Sequence, residues 1–174
     1  MMDAIKIRKI TLTDLEEWQT ISRQTFLETF EESNSKENMK KYIEESFNTT
    51  KLTTEIENSN SKIYFATLND KVIGYLKLNF GQAQSELKNE KGFEIERIFI
   101  LKDFFGKKVG QILLHYAVQI AKQIKSEYIW LGVWEKNPRA IRFYHKNGFV
   151  EFDKHIFKLG DDMQTDLMMK LEIS

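Results

Sequence analysis

Residues 130–149, WLGVWEKNPRAIRFYHKNGF, decide how the chain is read. With Tyr128 and Ile129 before it, the run Trp130, Leu131, Val133 and Trp134 is aromatic, β-branched or otherwise apolar, the composition of a mostly buried strand. Asn137 ends that strand and suits an N-cap, where its side-chain oxygen accepts from a first-turn amide. Pro138 follows at no loss, because the N–H it lacks is unpaired at that position anyway. Ala140, Ile141, Phe143 and Tyr144 then lay an apolar stripe at helical spacing, Gly148 supplies the positive φ that stops a helix, and Phe149 opens a further strand.

Outward from this segment the same signals order the rest. Residues 4–10 alternate as a strand, and Thr13 with Glu16 has the spacing of a capping box ahead of a helix to about Phe30. Residues 35–47 and 50–57 are rich in Lys, Glu and apolar side chains without Pro or Gly, which predicts two short helices divided near Asn48. Residues 62–68 and 71–80 flank Asn69-Asp70 as a hairpin, and residues 81–92 form a polar loop. On the strand 93–101, strict alternation puts Glu94, Glu96, Ile98 and Ile100 on one face and Ile95, Arg97 and Phe99 on the other. Val109, Ile112, Leu113, Tyr116, Ala117, Ile120, Ala121 and Ile124 recur at i, i+3, i+4, i+7 and mark a helix. Residues 149–159 and 165–172 close the chain as a hairpin around Gly160-Asp161-Asp162.

The order β αα(α) ββ β α β α β β predicts an α/β (α+β) fold with a mixed central sheet of about seven strands flanked by about four helices. At 174 residues, with no repeat or low-complexity stretch, residues 1–174 are expected to form a single domain. The 26 acidic and 26 basic residues cancel, so the broad basic footprint of a nucleic-acid binder is missing. With no cysteine, disulfides, thiolate nucleophiles and Cys-based zinc sites are excluded together, and His115, His145 and His155 lack metal spacing, so no metal is expected. No run approaches the roughly 20 apolar residues of a membrane span, and the first ten residues alternate charged and apolar side chains. A cytoplasmic protein without membrane partner is expected.

Residues 98–114, IFILKDFFGKKVGQILL, read as a strand feeding a Gly-bearing loop that opens a long helix. Free first-turn amides and the macrodipole, about half a positive charge, favour an anion there, and Lys107 and Lys108 add formal charge. Taken alone, the segment reads equally as an ordinary strand-loop-helix joint.

Read with residues 137–149, the joint resembles the Gcn5-related N-acetyltransferase (GNAT) superfamily, whose phosphate loop runs Gln/Arg-x-x-Gly-x-Gly/Ala. Phe105 stands at the Gln/Arg position, Lys108 at the first Gly and Gly110 at the second; the family's contacts are mainly from backbone amides, which tolerate changes of side chain. The segments SKENMKKYIEESFNT, AQSE, FEIERIFI, LGVWEKN, AIRFYHKNGF and HIFKLGDDMQTDLMM make the chain most similar to the PaiA-type spermidine/spermine acetyltransferases over nearly its whole length. That resemblance implies a GNAT fold and direct transfer of acetyl from acetyl-CoA to a primary amine, such as that of a polyamine, in a ternary complex. It implies Ile98 and Ile100 along the pantetheine, Gly106, Lys107, Lys108, Val109, Gly110 and Gln111 at the pyrophosphate, Asn137 and Tyr144 beside the thioester arm, and Lys146 at a CoA phosphate.

An alkylammonium with a pKa of about 10.4 must lose a proton before attack, a cost on the order of 4.6 kcal/mol at pH 7. The resemblance assigns that proton to Glu94, four residues before Ile98, with Glu96 as the neighbouring candidate; without it, both read as solvated strand carboxylates. The leaving thiolate needs a proton, which Tyr144 fits as a phenol protonated at neutral pH, although an isolated tyrosine on this stripe reads as a core aromatic. Glu28, Trp134 and Glu135 are the candidate acceptor residues, among further acids Glu31, Glu32 and Glu86 that read as surface charges, and His155 reads as packing. The alternatives are acetylation of a protein or peptide amine, and an acyl-CoA-binding regulator without turnover. A free edge late in the sheet allows a homodimer.

Overall fold

The computed structural model describes residues 4–174. The elements are β1 (Lys6–Lys9), α1 (Leu15–Phe30), α2 (Lys36–Ser46), α3 (Thr49–Glu57), β2 (Ser61–Leu68), β3 (Lys71–Asn79), β4 (Gly92–Ile100), α4 (Val109–Gln123), β5 (Tyr128–Trp134), α5 (Pro138–Lys146), β6 (Val150–Leu159) and β7 (Asp162–Glu172). Seven strands form one mixed sheet in the order β1-β2-β3-β4-β5-β7-β6. Only β4 and β5 pair in parallel among the described residues, and α4 supplies the crossover that such a pair requires.

Local chemistry sets most boundaries. Asn69 and Asp70 take φ of 51° and 64°, the left-handed pair of a two-residue hairpin, and so join β2 to β3. The Ser35 hydroxyl accepts from Asn38 N–H at 3.1 Å to start α2, and Asn48, expected as a divider, accepts from Lys51 N–H at 2.9 Å to start α3. The capping box lies two residues earlier than Thr13 and Glu16 suggest, at Thr11 and Asp14, on a 3-10 turn that leads into α1. Asp14 accepts from Thr11 N–H at 2.9 Å and is pinned by Arg8 of β1 at 2.9 and 3.0 Å, an ion pair whose strand partner the local pattern does not reveal.

The two faces of the sheet carry separate cores. Leu113, Ala117 and Ile120 of α4 cover Leu76, Leu78, Phe93, Ile129 and Leu131, and α5 extends that layer. On the other face Trp18 and Ile21 of α1 and Leu52 of α3 cover Phe65 and Tyr75, with the Trp18 ring edge-on to Tyr75 at 4.5 Å. The tip of the β6–β7 hairpin is tied to α2, since Asn38 Oδ1 accepts from Asp161 N–H at 3.1 Å and Lys41 meets Asp161 at 2.9 Å. No described helix is long and apolar enough to cross a membrane.

Strand β4 corrects the expected alternation. Lys77 of β3 faces Arg97 and Leu78 faces Ile95, which leaves Glu96 as the extra residue of a β-bulge. One inserted residue reverses the parity of a strand. Phe93 and Ile95 before the bulge and Ile98 and Ile100 after it therefore face α4, whereas Glu94, Arg97 and Phe99 face α1 and α3. Buried charge holds the bulge in place: Glu96 pairs with Lys77 and with Arg97, and Glu55 of α3 pairs with Lys77 at 2.8 Å and with Arg97. Burial alone would raise the Glu96 pKa, but the two cations outweigh it and hold the group at about 2.

A folded-state pKa below the ordinary value means that Glu96 adds stability above a pH of about 4.3, and that this stability is lost as pH falls toward about 2. Lys77→Met leaves two buried carboxylates sharing one cation and is expected to cost about 3–5 kcal/mol at pH 7 by urea denaturation. The deficit should shrink near pH 3, where protonation removes the surplus negative charge; an unchanged midpoint at pH 7 would contradict the role given to this cluster.

Candidate active site

The parallel pairing of β4 with β5 covers three positions, Gly92 with Tyr128, Phe93 with Ile129 and Glu94 with Trp130, although both strands continue. Past Glu94 they separate. Leu101 N–H donates to Ile73 C=O at 2.9 Å, so on this antiparallel side the peptide groups of Phe99 and Leu101 face β3. Those of Ile98 and Ile100 face the gap. An extended amide-bearing arm laid in the gap would find strand donors and acceptors waiting there.

One side of the gap is a groove of about 500 Å³ that gathers Ile98, Ile100, Gly106, Lys108, Val109, Gly110, Gln111, Asn137, Tyr144 and Lys146. Lys107 is the exception among the expected donor contacts: its ammonium sits 5.3 Å from the Phe104 ring centroid and outside the groove. Gly106 and Lys108 adopt φ of 76° and 65°, and two left-handed residues in three curl the loop so that its amides converge with the free first-turn amides of α4. Lysine at such an angle costs on the order of 1 kcal/mol, and it stands where the family pattern has a glycine. Arg139, which the sequence reading missed, lines the same groove with its guanidinium 3.7 Å from the Phe105 ring centroid. A lone arginine in the first turn of a helix carries no local signal of such a role. Glu28 also lies here, accepting from Lys102 N–H at 3.2 Å, and does not border the acceptor cavity.

The other side is a cavity of about 320 Å³ walled by Phe26 and Phe30 of α1, Tyr42 of α2, Trp134 and Phe157. Trp134 and Phe30 meet at a ring separation of 5.6 Å. Four carboxylates, Glu55, Glu94, Glu96 and Asp166, line it against Lys51 and Arg97. Glu94 is 4% exposed and accepts from Asn79 Nδ2 at 3.0 Å, Ser85 N–H at 2.8 Å and Ser85 Oγ at 2.6 Å. Burial raises its pKa above the ordinary glutamate value, and the three donors pull against that rise. Glu96, held anionic by Lys77 and Arg97, does not fit the part of a base, because its basicity is spent on the bulge. Glu135 is exposed outside the cavity, in the turn before α5. His155 lines the cavity beside Asp166, and the pair was not legible because only the β6–β7 register brings them together.

Groove and cavity share Ile98, Phe99, Asn137, Ala140 and Tyr144. The local code noted in residues 137–149 produces this junction: Asn137 Oδ1 accepts from Ala140 N–H at 3.3 Å, Pro138 follows, and Gly148 takes φ of 93°. Tyr144 is packed between Phe143 and Phe149 at ring separations of 5.3 and 5.5 Å. Burial raises its pKa, so the phenol is protonated at neutral pH.

A sheet split between two strands, with an amide-lined groove on one side and an acidic cavity on the other, defines the class of acyltransferases that take an extended phosphate-bearing thioester. The chain belongs to the Acetyltransferase (GNAT) family, whose profile matches residues 15–149, and is an acetyl-CoA-dependent N-acetyltransferase. An uncharacterized N-acetyltransferase in the pepI 3′ region of Lactobacillus delbrueckii subsp. lactis is 41% identical over 169 residues, covering 97% of this chain and 98% of its own. The spermidine N(1)-acetyltransferase of Thermoplasma acidophilum is 29% identical over 171 residues, 96% of each chain. The crystal structure of PaiA N-acetyltransferase from Thermoplasma acidophilum in complex with coenzyme A superposes with a TM-score of 0.80 at 25% identity, covering 97% of this chain and 99% of that one.

Gly110 sits where an added Cβ would meet Ile100 at 3.3 Å and Phe143 at 3.6 Å. Gly110→Val, which fills the groove floor, is expected to weaken acetyl-CoA binding by roughly tenfold or more, about 1.4 kcal/mol. Isothermal titration measures this, and an unchanged Kd would remove the loop from the donor site.

Proposed function

We propose that the chain acetylates a primary amine of a polyamine such as spermidine or spermine, by direct attack within a ternary complex with acetyl-CoA, as a single cytoplasmic catalytic domain. The acceptor cavity is the observation that carries this reading. Of the four carboxylates that line it, Glu55 and Glu96 are paired with Lys77 and Arg97, whereas Glu94 and Asp166 face the space without a cation of that cluster, and that space opens on Tyr144. Such a cavity draws a polycation from solution. The Thermoplasma acidophilum relative named for spermidine supports the same acceptor class.

In this reading Glu94 takes the ammonium proton, directly or through one water, with Asn79 and Ser85 fixing its orientation. Its raised pKa moves it toward the working pH, where a general base is most effective. The freed amine attacks the thioester carbonyl, the carbon–sulfur bond breaks as Tyr144 gives the thiolate a proton, and the second proton released from the acylated nitrogen restores the phenol, leaving the amide and free CoA thiol. The peptide groups of Ile98 and Ile100 hold the pantetheine arm, the loop from Gly106 to Gln111 holds the pyrophosphate, and Lys108, Lys146 and Arg139 supply positive charge to the phosphates. Trp134 offers the acceptor chain a cation–π wall. No cysteine is available for a thioester-linked enzyme intermediate, which suits direct transfer. At the outer edge of the sheet β6 exposes Val150, Phe152 and Ile156, and we propose self-association there, which equilibrium sedimentation would register as a doubled mass.

CoA release measured across spermidine, spermine, n-butylamine and N-terminal peptides is expected to give the highest kcat/KM for the polyamines; a peptide ranking above them would contradict the reading. Tyr144→Phe is expected to lower kcat by about 10²-fold, with acetyl-CoA affinity changed less than about twofold. An unchanged kcat would remove Tyr144 from proton transfer.

A further inference from the structure

Beyond Glu94, the acceptor cavity holds a second carboxylate that the transfer chemistry leaves unused. Asp166 of β7 is paired across the sheet with Trp134 of β5 on one side and with His155 of β6 on the other. Its Oδ2 lies 3.8 Å from His155 Nε2, and His155 Nδ1 lies 3.6 Å from Glu86 Oε1. Both separations exceed a hydrogen bond, and His155 Nδ1 has no hydrogen-bond partner among the described residues. The Asp166 side chain is 15% exposed and makes no side-chain hydrogen bond among the described residues. A carboxylate enclosed in this way lacks the donors that normally compensate its desolvation. Burial pushes its pKa up to about 6, His155 pulls it back, and Glu86 adds to the rise.

The floor between the two carboxylates is bare. Glu94 is paired beside Trp130 and Asp166 beside Trp134, positions four residues apart on β5, or about 13 Å along the strand. Gly132 lies midway on the same face, and a Cβ there would touch Asp166 Oδ2 and His155 Cε1 at 3.4 Å. Glycine thus keeps open a track from one acid to the other, with the Trp134 and Phe30 rings beside it.

We propose that Asp166, backed by His155, is a specificity subsite that holds the second ammonium group of the acceptor while Glu94 serves the reacting one. The proposal rests on the polyamine reading of the cavity. Glu94 on β4 and Asp166 on β7 flank β5, so the two acids are offset both along and across that strand, and an alkyl diamine or triamine, whose extended chain advances roughly 1.2 Å per bond, can present a separate ammonium to each where a monoamine cannot. A monoamine reaches Glu94 and leaves Asp166 alone. Discrimination between the two acceptors is therefore an Asp166 property, separable from turnover.

Asp166→Asn is nearly isosteric and removes the charge. Spermidine KM is expected to rise about tenfold or more in this variant, the loss of one charge-assisted contact, while kcat/KM for n-butylamine changes less than about twofold. Gly132→Ala, whose added methyl makes only ordinary contacts, is a second variant expected to raise spermidine KM by filling the track. Calorimetric binding of spermidine to the CoA-saturated protein keeps the subsite distinguishable from the function. Binding that depends on Asp166, without turnover of any amine, would sustain the subsite and overturn the acetylation reading. Equal losses for spermidine and n-butylamine, unchanged spermidine KM in Asp166→Asn, or no spermidine binding by the unaltered protein would each overturn the subsite.

Discussion

The ion pairs that Glu96 makes with Lys77 and Arg97, closed by Glu55 of α3, hold an extra residue in β4, and the consequences run through the whole sheet. Before the bulge β4 still pairs with β5; after it the strands part. The reversed parity sends Ile98 and Ile100 to the α4 side and Arg97 and Phe99 to the α1 side, the face that Glu94 already takes before the bulge. Without that reversal, the hydrophobic residues that floor the donor groove would share a face with the acids of the acceptor cavity. Two chemically opposite surfaces are built from one strand because one residue does not fit the ladder.

In the function proposed above, the two surfaces recognise by different means. On the donor side the main instruments are backbone groups: the peptide units of Ile98 and Ile100, and the loop curled by Gly106 and Lys108 at the start of α4. Amides are indifferent to side-chain identity, which explains how Phe105 and Lys108 occupy positions where the family pattern has a polar residue and a glycine. Arg139, over the Phe105 ring, brings to this groove a positive charge from a different element. The acceptor side is built from side chains, and each is set by long-range contacts. Glu94 is fixed by the loop residue Ser85 and by Asn79 of β3, and the roof of the cavity depends on α1, α2 and the docked β6–β7 hairpin. Tyr144 serves both sides from a helix whose start, Asn137-Pro138, is entirely local.

That division also governs what could be read from the sequence. Strands, helices and the hairpin at Asn69-Asp70 were legible because turn residues, caps and hydrophobic period act within a few residues. The groove beside β4 was legible for a related reason: apart from Glu28 and Thr29 of α1 its lining comes from two short continuous segments, and Lys107 departs because its side chain turns to Phe104. Nothing in the pattern FEIERIFI announces that Glu96 is extra, since the cation that draws it in is Lys77, 19 residues away in the chain. Strict alternation therefore put Glu94 and Glu96 together as equals, whereas the structure gives one a raised pKa in the cavity and the other a lowered one in an ion-pair cluster. Glu28 and Glu135 read as acceptor residues from their charge and their place beside the expected substrate site, His155 reads as packing, and Asp166 escaped notice because only sheet register unites it with His155.

If the opened strand is where the donor lies, coenzyme A must protect it. Amide hydrogen exchange of the protein with and without coenzyme A tests this most directly. Slowed exchange is expected at Ile98, Ile100 and the loop from Gly106 to Gln111, with the β2–β3 hairpin unaffected, because its ladder is already paired. Slowed exchange confined to other segments, with Ile98 and Ile100 unchanged, would contradict the claim that the bulge at Glu96 opens β4 to receive the acetyl donor.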